Sequence, residues 1–380
     1  MYNVIIIITS LFLWKRGLSE VVNSERKPCS MSECFDFSRC SISKKLYIHP
    51  MDTKFEDSPQ SVIYRKILKH YQSSEQYTDD PNEACLFLLE IDTTDRDIRS
   101  QNYVKNVNEY IASLDPAVWN NGRNHLIFNF YHGTFPDYDD HNLNFDTGEA
   151  MIARASSSEN NFFKGFDVSL PLFHENHPYQ IESKLNDEQQ KKEERRRYLV
   201  SFKGKRYVYG IGSGTRNLVH HLHNGEDIVM VTTCKHNNDW QVYQDDRCQQ
   251  DNNDYERWEY DELLANSTFC LVPRGRRLGS FRFLETLRSG CIPVVISDSW
   301  ILPFSESIDW HLAAIVVAER DALSIPELLM STDRRRVRNL RESARNVYDT
   351  HLRSIQVISN HVLKIIYNRI DDHFLHQKSK

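Results

Sequence analysis

Residues 270–306 read CLVPRGRRLGSFRFLETLRSGCIPVVISDSWILPFSE, and this stretch decides the fold. The pattern predicts an apolar strand over 268–272, a basic turn, a short helix and a second apolar strand over 292–296. Ser280 suits the N-cap of the helix, and Gly290 suits the position just past its C-terminus. A strand, turn, helix and strand in this order are typical of a parallel α/β sheet.

The basic turn lies directly ahead of the helix N-terminus, where backbone N–H groups and the helix dipole favour anions. At the carboxyl end of a strand, its arginines also face the ligand crevice of an α/β sheet. A glutamate further along the helix can accept hydrogen bonds from a sugar diol. The arrangement suits a nucleotide diphosphate, although an exposed turn with ion pairs inside the helix remains the alternative. The predicted donor-binding residues are Arg274, Arg276, Arg277, Arg282 and Glu285.

The motif PRGRRLGSFRFLE, followed by GCIPVVISDSWILPFSE, resembles the glucuronosyltransferase-type domain of the exostosins, the heparan sulfate polymerases. Five more motifs match in order between about 29 and 370: CFDFSRC, DPNEACLFLLEIDTTDRD, WNNGRNHLIFNFYHGTFPDY, SFKGKRYVYGIGSGTRN and HNGEDIVMVTTCKH. The resemblance implies an α/β fold of the glycosyltransferase-B type, with two facing Rossmann-like domains. It also implies transfer of glucuronic acid from UDP-glucuronate to the 4-hydroxyl of a terminal N-acetylglucosamine on a growing heparan chain.

Vertebrate exostosins carry a second, C-terminal transferase domain for N-acetylglucosamine, whereas this sequence stops at Lys380. An enzyme with one sugar specificity adds a single residue and then stalls, because its product no longer presents the acceptor. We therefore expect a hetero-oligomer with a larger exostosin-like transferase, which raises the effective concentration of each exchanged chain end. The alternative is a non-catalytic or weakly catalytic subunit that supports such a partner.

The 380 residues carry a net charge of −6, so nucleic acid is an unfavoured partner and the basic clusters are local features. Strand and helix patterns alternate in two successive halves, which predicts a largely parallel sheet in each. A charged segment, NDEQQKKEERRR at 186–197, separates them. The predicted organisation is an acceptor-side domain over 29–185, a nucleotide-sugar domain over 195–350, and a C-terminal helix and tail over 351–380.

An apolar run at 4–14 precedes a basic pair and a small-residue motif, Gly17-Leu18-Ser19. Eleven helical residues span about 16 Å, against about 30 Å of membrane hydrocarbon. Residues 1–19 are therefore predicted to be a cleaved signal peptide, or the short signal anchor that the exostosin resemblance implies. Both alternatives place the chain in the lumen of the secretory pathway, in the endoplasmic reticulum or Golgi apparatus, with membrane association through this segment.

The eight cysteines form an even set, which in an oxidising compartment predicts disulfides. A zinc site is disfavoured because no CxxC pair occurs. Asn266, in Asn-Ser-Thr, is the only N-glycosylation sequon. Eight cysteines allow 105 complete pairings. We predict pairing between sequence neighbours: Cys29–Cys34, Cys40–Cys85, Cys234–Cys248 and Cys270–Cys291.

A second basic motif, SFKGKR at 201–206, ends a predicted strand and is followed by the glycine-rich GIGSG at 210–214. Glycines allow backbone amides to approach phosphate or sugar closely. The spacing is not the full dinucleotide fingerprint, which disfavours a nucleotide-dependent oxidoreductase and leaves a simple loop as the alternative. Beside the arginine turn, four further residues are predicted phosphate or sugar-carboxylate contacts: Lys203, Lys205, Arg206 and Arg216.

Inverting transfer needs a base that deprotonates the acceptor hydroxyl, and that base should come from the half opposite the nucleotide. Asp95 and Asp97, after the central strand of the first half, are the predicted catalytic residues, and capping of the next segment is the alternative. His132 and Asp137 are second choices. The Asp-Arg-Asp spacing also matches metal-dependent transferases. Two carboxylates alone do not predict a metal, and arginines can neutralise a diphosphate, so no cofactor is required by the prediction.

Overall fold

The structure is a computed structural model that describes residues 26–179, 196–236 and 240–378. Within these residues the chain forms two five-stranded sheets, and every strand pairing in both sheets is parallel. The predicted leader at 1–19 and most of the charged segment at 186–197 lie outside the described residues. The α/β class and the two facing Rossmann-like halves are confirmed.

The first sheet follows the order of the chain, β1-β2-β3-β4-β5. Its second strand is buried along its whole length, as expected for a parallel strand covered on both faces. Helix Val62–Gln72 begins at Ser61, whose side chain accepts a hydrogen bond from the N–H of Tyr64. The strands are β1 Lys45–His49, β2 Ala84–Leu89, β3 His125–Asn129, β4 Met151–Arg154 and β5 Val168–Ser169, and the helices include Met31–Cys34, Val62–Gln72, Val107–Ser113 and Pro116–Trp119.

The second sheet has the order β10-β9-β8-β6-β7. The chain passes from β6 to β7 on one side and then crosses back to form β8 on the other side of β6. In such a sheet, ligands bind at the carboxyl ends of the strands where the order reverses, here between β6 and β8. The strands are β6 Tyr198–Lys205, β7 Ile228–Thr233, β8 Ser267–Pro273, β9 Ile292–Ile296 and β10 Ile315–Val316; the helices are Ser213–His220, Cys248–Glu256, Tyr260–Ala265, Phe281–Arg288, Ile325–Met330 and Arg334–Val347.

Helix Phe281–Arg288 has the ends that the sequence predicts. The Ser280 hydroxyl accepts a hydrogen bond from the N–H of Arg282 at 3.3 Å. Gly290 follows the helix with a φ of +65°, a left-handed conformation that favours glycine. The helix packs its apolar side against β8 and β9, which orients the preceding arginine turn toward the first half of the chain.

The last helix, Ile355–Lys378, returns to the first half and packs on helix Val62–Gln72. The Tyr71 hydroxyl donates to the carbonyl of Ser359 at 2.9 Å, and the Tyr367 hydroxyl donates to the carbonyl of Lys44 at 2.9 Å. The predicted tail at 351–380 is therefore part of the core of the first half. None of the helices described is both long and apolar enough to cross a bilayer.

Several predicted elements differ in extent. Strand β4 was not predicted, because its four residues, MIAR, carry too short a pattern to distinguish them from a loop. The sequence over 255–265 predicts one helix, whereas the structure has two helices here, Cys248–Glu256 and Tyr260–Ala265. Apolar residues over 340–370 recur with helical spacing, which predicts a long helical region. In the structure a π-helical turn, Tyr348–Leu352, interrupts it, and the Leu352 carbonyl accepts a hydrogen bond from His177.

Candidate active site

A cavity of about 550 Å³, the cleft pocket, lies beside the carboxyl ends of β6 and β8. Both halves of the chain line it. Tyr131, Tyr138 and Leu172 come from the first half, whereas the basic turn, the end of β6 and helix Phe281–Arg288 come from the second. The pocket therefore lies at the reversal point of the strand order, where an α/β sheet binds its ligand.

Arg276 lies in the cleft pocket among aromatic side chains. Its Nη1 donates to the Tyr138 hydroxyl at 3.1 Å, and its guanidinium carbon is 5.3 Å and 5.1 Å from the ring centroids of Phe135 and Tyr207. The turn depends on close packing with Gly212, where an added Cβ would lie 2.4 Å from the Gly275 carbonyl oxygen. An arginine held between aromatic rings can present its remaining donors to an anion.

Arg277 joins the two halves. Its Nε donates to the carbonyl of His132 at 2.5 Å, and its Nη2 donates to the carbonyl of Gly133 at 2.7 Å. The same Nη2 lies 3.1 Å from a carboxylate oxygen of Asp97. Arg277 thus lines the cleft pocket while it holds the opposite wall in place.

Two predicted donor-binding arginines, Arg206 and Arg274, do not line the cleft pocket. Arg206 is buried, with Nε donating to Asp251 at 2.6 Å and its terminal nitrogens donating to both oxygens of Asp245. Burial of a guanidinium requires such paired carboxylates, so this side chain supports the fold. Arg274 forms an ion pair with Glu319, with its Nη1 3.6 Å from a carboxylate oxygen.

Arg216 and Arg282 line the cleft pocket but use donors to fix its walls. Arg216 donates to the carbonyls of Arg274 and Lys205, which ties the basic turn to the end of β6. Arg282 donates to the Tyr260 hydroxyl at 3.2 Å and to the carbonyl of Lys203. Both are nearly fully buried. Each of them can therefore hold the backbone of the pocket wall in place and also contact a ligand.

Lys203, Lys205 and Glu285 also line the cleft pocket. Lys203 donates to the carbonyl of Trp258, and Lys205 is exposed at the end of β6. Glu285 accepts a hydrogen bond from the Tyr260 hydroxyl at 2.5 Å. Burial raises the pKa of Tyr260, so its hydroxyl keeps the proton that it donates to Glu285.

The predicted bases, Asp95 and Asp97, are not among the residues that line the cleft pocket. The two carboxylate oxygens of Asp95 accept hydrogen bonds from the Ser100 hydroxyl and from the N–H of Asp97, and burial raises the pKa of Asp95. Asp97 accepts a hydrogen bond from the N–H of Arg99 and contacts Arg277. These local hydrogen bonds to backbone N–H groups agree with capping of the next segment, the alternative to a catalytic role for both residues. Asp97 is the one that reaches a pocket residue.

The second-choice bases are also outside the lining of the cleft pocket. His132 is buried, and burial lowers its pKa to about 3, with a further contribution from the positive charge of Arg154. Asp137 is exposed. Neither residue therefore gains support as a base from its position.

One group with metal-ligand spacing occurs in the described ranges, formed by Asp139, Asp140 and His141, whose ligand atoms lie within 4.8 Å of one another. The group is outside the lining of the cleft pocket, and Asp95 and Asp97 are not part of it. Independence from a metal therefore stays a prediction.

Five pocket tyrosines were not among the predicted site residues. Three of them lie in RYVYG and FYHGTFPDY, which follow strands β6 and β3, so the aromatic residues of these motifs were the signal that could have identified them. The other two lie in the helices Cys248–Glu256 and Tyr260–Ala265, where the sequence carries no such signal. They provide hydroxyl donors and flat apolar surfaces, the groups that sugar rings and bases contact. The residues are Tyr131, Tyr138, Tyr207, Tyr255 and Tyr260.

The disulfides are the four predicted from neighbour pairing, and they include every cysteine: Cys29–Cys34, Cys40–Cys85, Cys234–Cys248 and Cys270–Cys291. Asn266 is exposed at the end of helix Tyr260–Ala265, while Ser267 is fully buried at the start of β8. The Asn266 amide donates to the carbonyl of Glu262 at 2.8 Å. Attachment of a glycan there remains a prediction.

Comparison with protein families gives a match of residues 41–332 to the family model described as Exostosin GT47 domain. A Caenorhabditis elegans protein named Exostosin-1 homolog is 84% identical over 349 residues, which cover 92% of this chain and 91% of that protein. Exostosin-1 of Drosophila melanogaster is 49% identical, and Exostosin-1 of Bos taurus is 47% identical. The matched regions cover 92% and 91% of this chain, but 46% of each of those two proteins.

Comparison with solved structures gives weaker similarities. A glycosyltransferase from Rickettsia africae aligns with a TM-score of 0.41 at 10% identity, covering 86% of this chain and 98% of that one. A Staphylococcus aureus MnaA–UDP structure aligns with a TM-score of 0.39 at 9% identity, covering 86% and 96%. The architecture described above therefore rests on the strand order and pairing of this chain.

Proposed function

This chain belongs to the exostosin GT47 family, and we propose that it transfers glucuronic acid from UDP-glucuronate to a terminal N-acetylglucosamine of a growing heparan chain. The observation that carries the proposal is the cleft pocket. It lies at the strand reversal point, and the two arginines of one turn, Arg276 and Arg277, contribute to its wall together with Glu285.

In the proposed complex, Arg276 and Arg277 bind the diphosphate of the donor, and Glu285 accepts hydrogen bonds from the ribose hydroxyls. Guanidinium groups suit this task because they stay charged and bind phosphate oxygens through paired N–H donors. Arg216 and Arg282 hold the basic turn and the end of β6 at the correct separation through their bonds to backbone carbonyls.

The proposed reaction is a single in-line displacement. The acceptor 4-hydroxyl oxygen forms a bond to C1 of the donor sugar while the bond from C1 to the phosphate oxygen breaks, and UDP leaves. This inverts the configuration at C1. A base accepts the hydroxyl proton, and we assign that role to Asp97, which the diphosphate would release by competing for Arg277. No metal is required in this proposal, because the arginines neutralise the leaving group.

The proposal is tested with UDP-glucuronate radiolabelled in the sugar and an oligosaccharide that ends in N-acetylglucosamine. The chain is assayed alone and with a larger exostosin-like transferase, with UDP-N-acetylglucosamine as the specificity control. Transfer of label from UDP-glucuronate that stops after one residue supports the proposal. Transfer from UDP-N-acetylglucosamine alone would contradict it.

A second candidate function is a subunit that binds UDP but transfers little sugar by itself. One observation favours it: among the described residues that line the cleft pocket, the only carboxylate is Glu285, which already accepts the Tyr260 hydrogen bond. Binding of UDP without transfer, combined with activation of a partner transferase, would select this candidate.

We further propose a hetero-oligomer with a larger exostosin-like transferase in the lumen of the secretory pathway, associated with the membrane through the N-terminal segment. An alternating polymer needs two donor specificities, and the proposed donor site accounts for one. The inclusion of all eight cysteines in disulfides supports an oxidising compartment. Co-purification of the full chain from cells, with the copurifying proteins identified, tests this assembly.

A further inference from the structure

A second large cavity, of about 920 Å³, lies on the outer side of the second sheet, and we name it the outer groove. It runs along β7, one of the two edge strands of this sheet, between the end of helix Ser213–His220 and helix Cys248–Glu256. The residues that line it include Arg197, His220, His223, Arg247, Arg257 and Trp258. Its volume falls in the range of sites that bind small organic ligands.

The outer groove has an excess of positive charge. Three arginines line it, against two aspartates, Asp251 and Asp254. Asp251 is bound by the buried Arg206 at 2.6 Å, by the Thr232 hydroxyl at 3.1 Å and by Arg247 of the groove itself at 3.4 Å. Asp254 lies 3.0 Å from Arg257. The carboxylates of the groove are thus held by protein partners, and the lining keeps one net positive charge before any histidine is protonated.

The outer groove also contains hydrogen-bonding groups without a protein partner. The Nε of Arg247 and the Nδ1 of His220 are buried and make no hydrogen bond among the described residues. The Nδ1 of His223 accepts from the N–H of Met230 at 3.0 Å, which leaves the proton on its Nε2. Buried polar atoms of this kind usually find a partner in a ligand or in water.

A short segment, 255–258, separates the outer groove from the cleft pocket. Tyr255 lines the cleft pocket, and Trp258 lines the outer groove. Lys203 links the two sides, because it donates to the carbonyl of Trp258 and lies 4.2 Å from the ring centroid of Tyr255. A chain molecule bound in the outer groove would therefore lie beside the proposed donor site.

We infer that the outer groove binds a polysaccharide chain that contains uronic acid. Arg197 binds a carboxylate, Arg257 binds a second one in exchange for its ion pair with Asp254, and His223 hydrogen-bonds sugar hydroxyls. Trp258 contacts the apolar face of a sugar ring. The site retains the growing chain while its end is exchanged between transferases. The choice of ligand rests on the proposed function, but binding in the groove does not require transfer.

The test is the affinity of the full chain for a fluorescent octasaccharide of alternating glucuronate and N-acetylglucosamine, measured by anisotropy. Arg197 and Arg257 are both exposed, so the double variant Arg197→Gln, Arg257→Gln should fold. We expect it to bind the octasaccharide at least tenfold more weakly, because two charge-assisted contacts are lost. The control is Arg320→Gln, Arg335→Gln, which removes the same charge from exposed positions outside the groove and should bind as the unchanged chain does.

Two further measurements separate this site from the donor site. An octasaccharide whose carboxylates are reduced to alcohols should bind at least tenfold more weakly, and UDP affinity should be equal in both double variants. Equal octasaccharide binding by the two double variants, or equal binding of the reduced octasaccharide, would overturn the inference. If the unchanged chain binds the octasaccharide but does not bind UDP, the result would count against the proposed function alone and would leave the outer groove supported.

Discussion

Arg277 of the basic turn lies 3.1 Å from the carboxylate of Asp97, which belongs to the opposite half of the chain and is 180 residues away in sequence. The same guanidinium donates to the carbonyls of His132 and Gly133. The side chain of Arg277 is thus a proposed phosphate contact and also the ion-pair partner of the proposed base, Asp97. Donor binding and release of the base are therefore coupled in our account.

This coupling predicts different effects of Asp97→Asn on binding and on transfer. The neutral amide no longer holds Arg277 through charge, so UDP affinity should be unchanged or slightly increased. Transfer should fall by about 10²- to 10⁴-fold, the usual contribution of a general base. Calorimetric titration with UDP and the radiolabel assay measure the two quantities. Asp95→Asn serves as the comparison, because the carboxylate of Asp95 is hydrogen-bonded to Ser100 and to the N–H of Asp97, whereas that of Asp97 is ion-paired with Arg277. Full transfer activity in Asp97→Asn would exclude it as the base.

Arg206 is predicted to affect stability and not donor binding. Arg206→Gln leaves the buried Asp251 without its main partner, and breaking a buried ion pair in this way typically costs about 3–5 kcal/mol. The free energy of unfolding, from urea titration, should fall by that order, while Arg335→Gln on the surface should change it by less than about 0.5 kcal/mol. A folded Arg206→Gln protein should bind UDP normally, and a specific loss of UDP binding without loss of stability would show that Arg206 takes part in donor binding.

The contrast between Arg206 and Arg276 shows where prediction from sequence ends. Both lie in basic motifs after a strand, and the sequence does not distinguish them. Arg206 is turned inward by Asp245 and Asp251, which lie 39 and 45 residues further along the chain. Arg276 is held in the pocket by Tyr138 from the other half. These partners are brought together only by the tertiary fold.

Local elements were more accessible to prediction. Strand β9 and the Ser280 cap were predicted because their signals lie within a few residues, in an apolar run and in a side chain that accepts from a nearby N–H. The parallel pairing in both sheets was also predicted, because strands alternate with helices in each half, whereas the order of the strands was not. Strand β4 was missed, since four residues contain too little periodicity.

The buried pair His49 and His125 predicts a loss of stability in mild acid. Their Nε2 atoms are 2.9 Å apart, and burial lowers the pKa of His49 to about 4 and that of His125 to about 3. The pKa values of both histidines are about 6.5 in the unfolded chain, which therefore binds protons more readily than the folded chain does. Their full contribution to stability is present above pH 6.5, and it is lost as the pH falls from 6.5 toward 4.

Each of these histidines should contribute up to about 1.4 kcal/mol per pH unit to that loss. His49→Gln should reduce the slope of the unfolding free energy between pH 6.5 and 5, as measured by urea titration at several pH values. His311→Gln, at an exposed histidine, is the matched control and should leave the slope unchanged. An unchanged slope in His49→Gln would show that this pair does not cause the acid sensitivity.

The central claim is that the cleft pocket holds the donor through Arg276 and Glu285, and calorimetric titration with UDP tests it most directly. Loss of one charge-assisted contact costs about 1.5–3 kcal/mol, so Arg276→Ala and Glu285→Ala should each weaken UDP binding by about one to two decades. Arg335→Gln should bind UDP as the unchanged chain does. Folded Arg276→Ala and Glu285→Ala proteins that bind UDP with unchanged affinity would contradict the account.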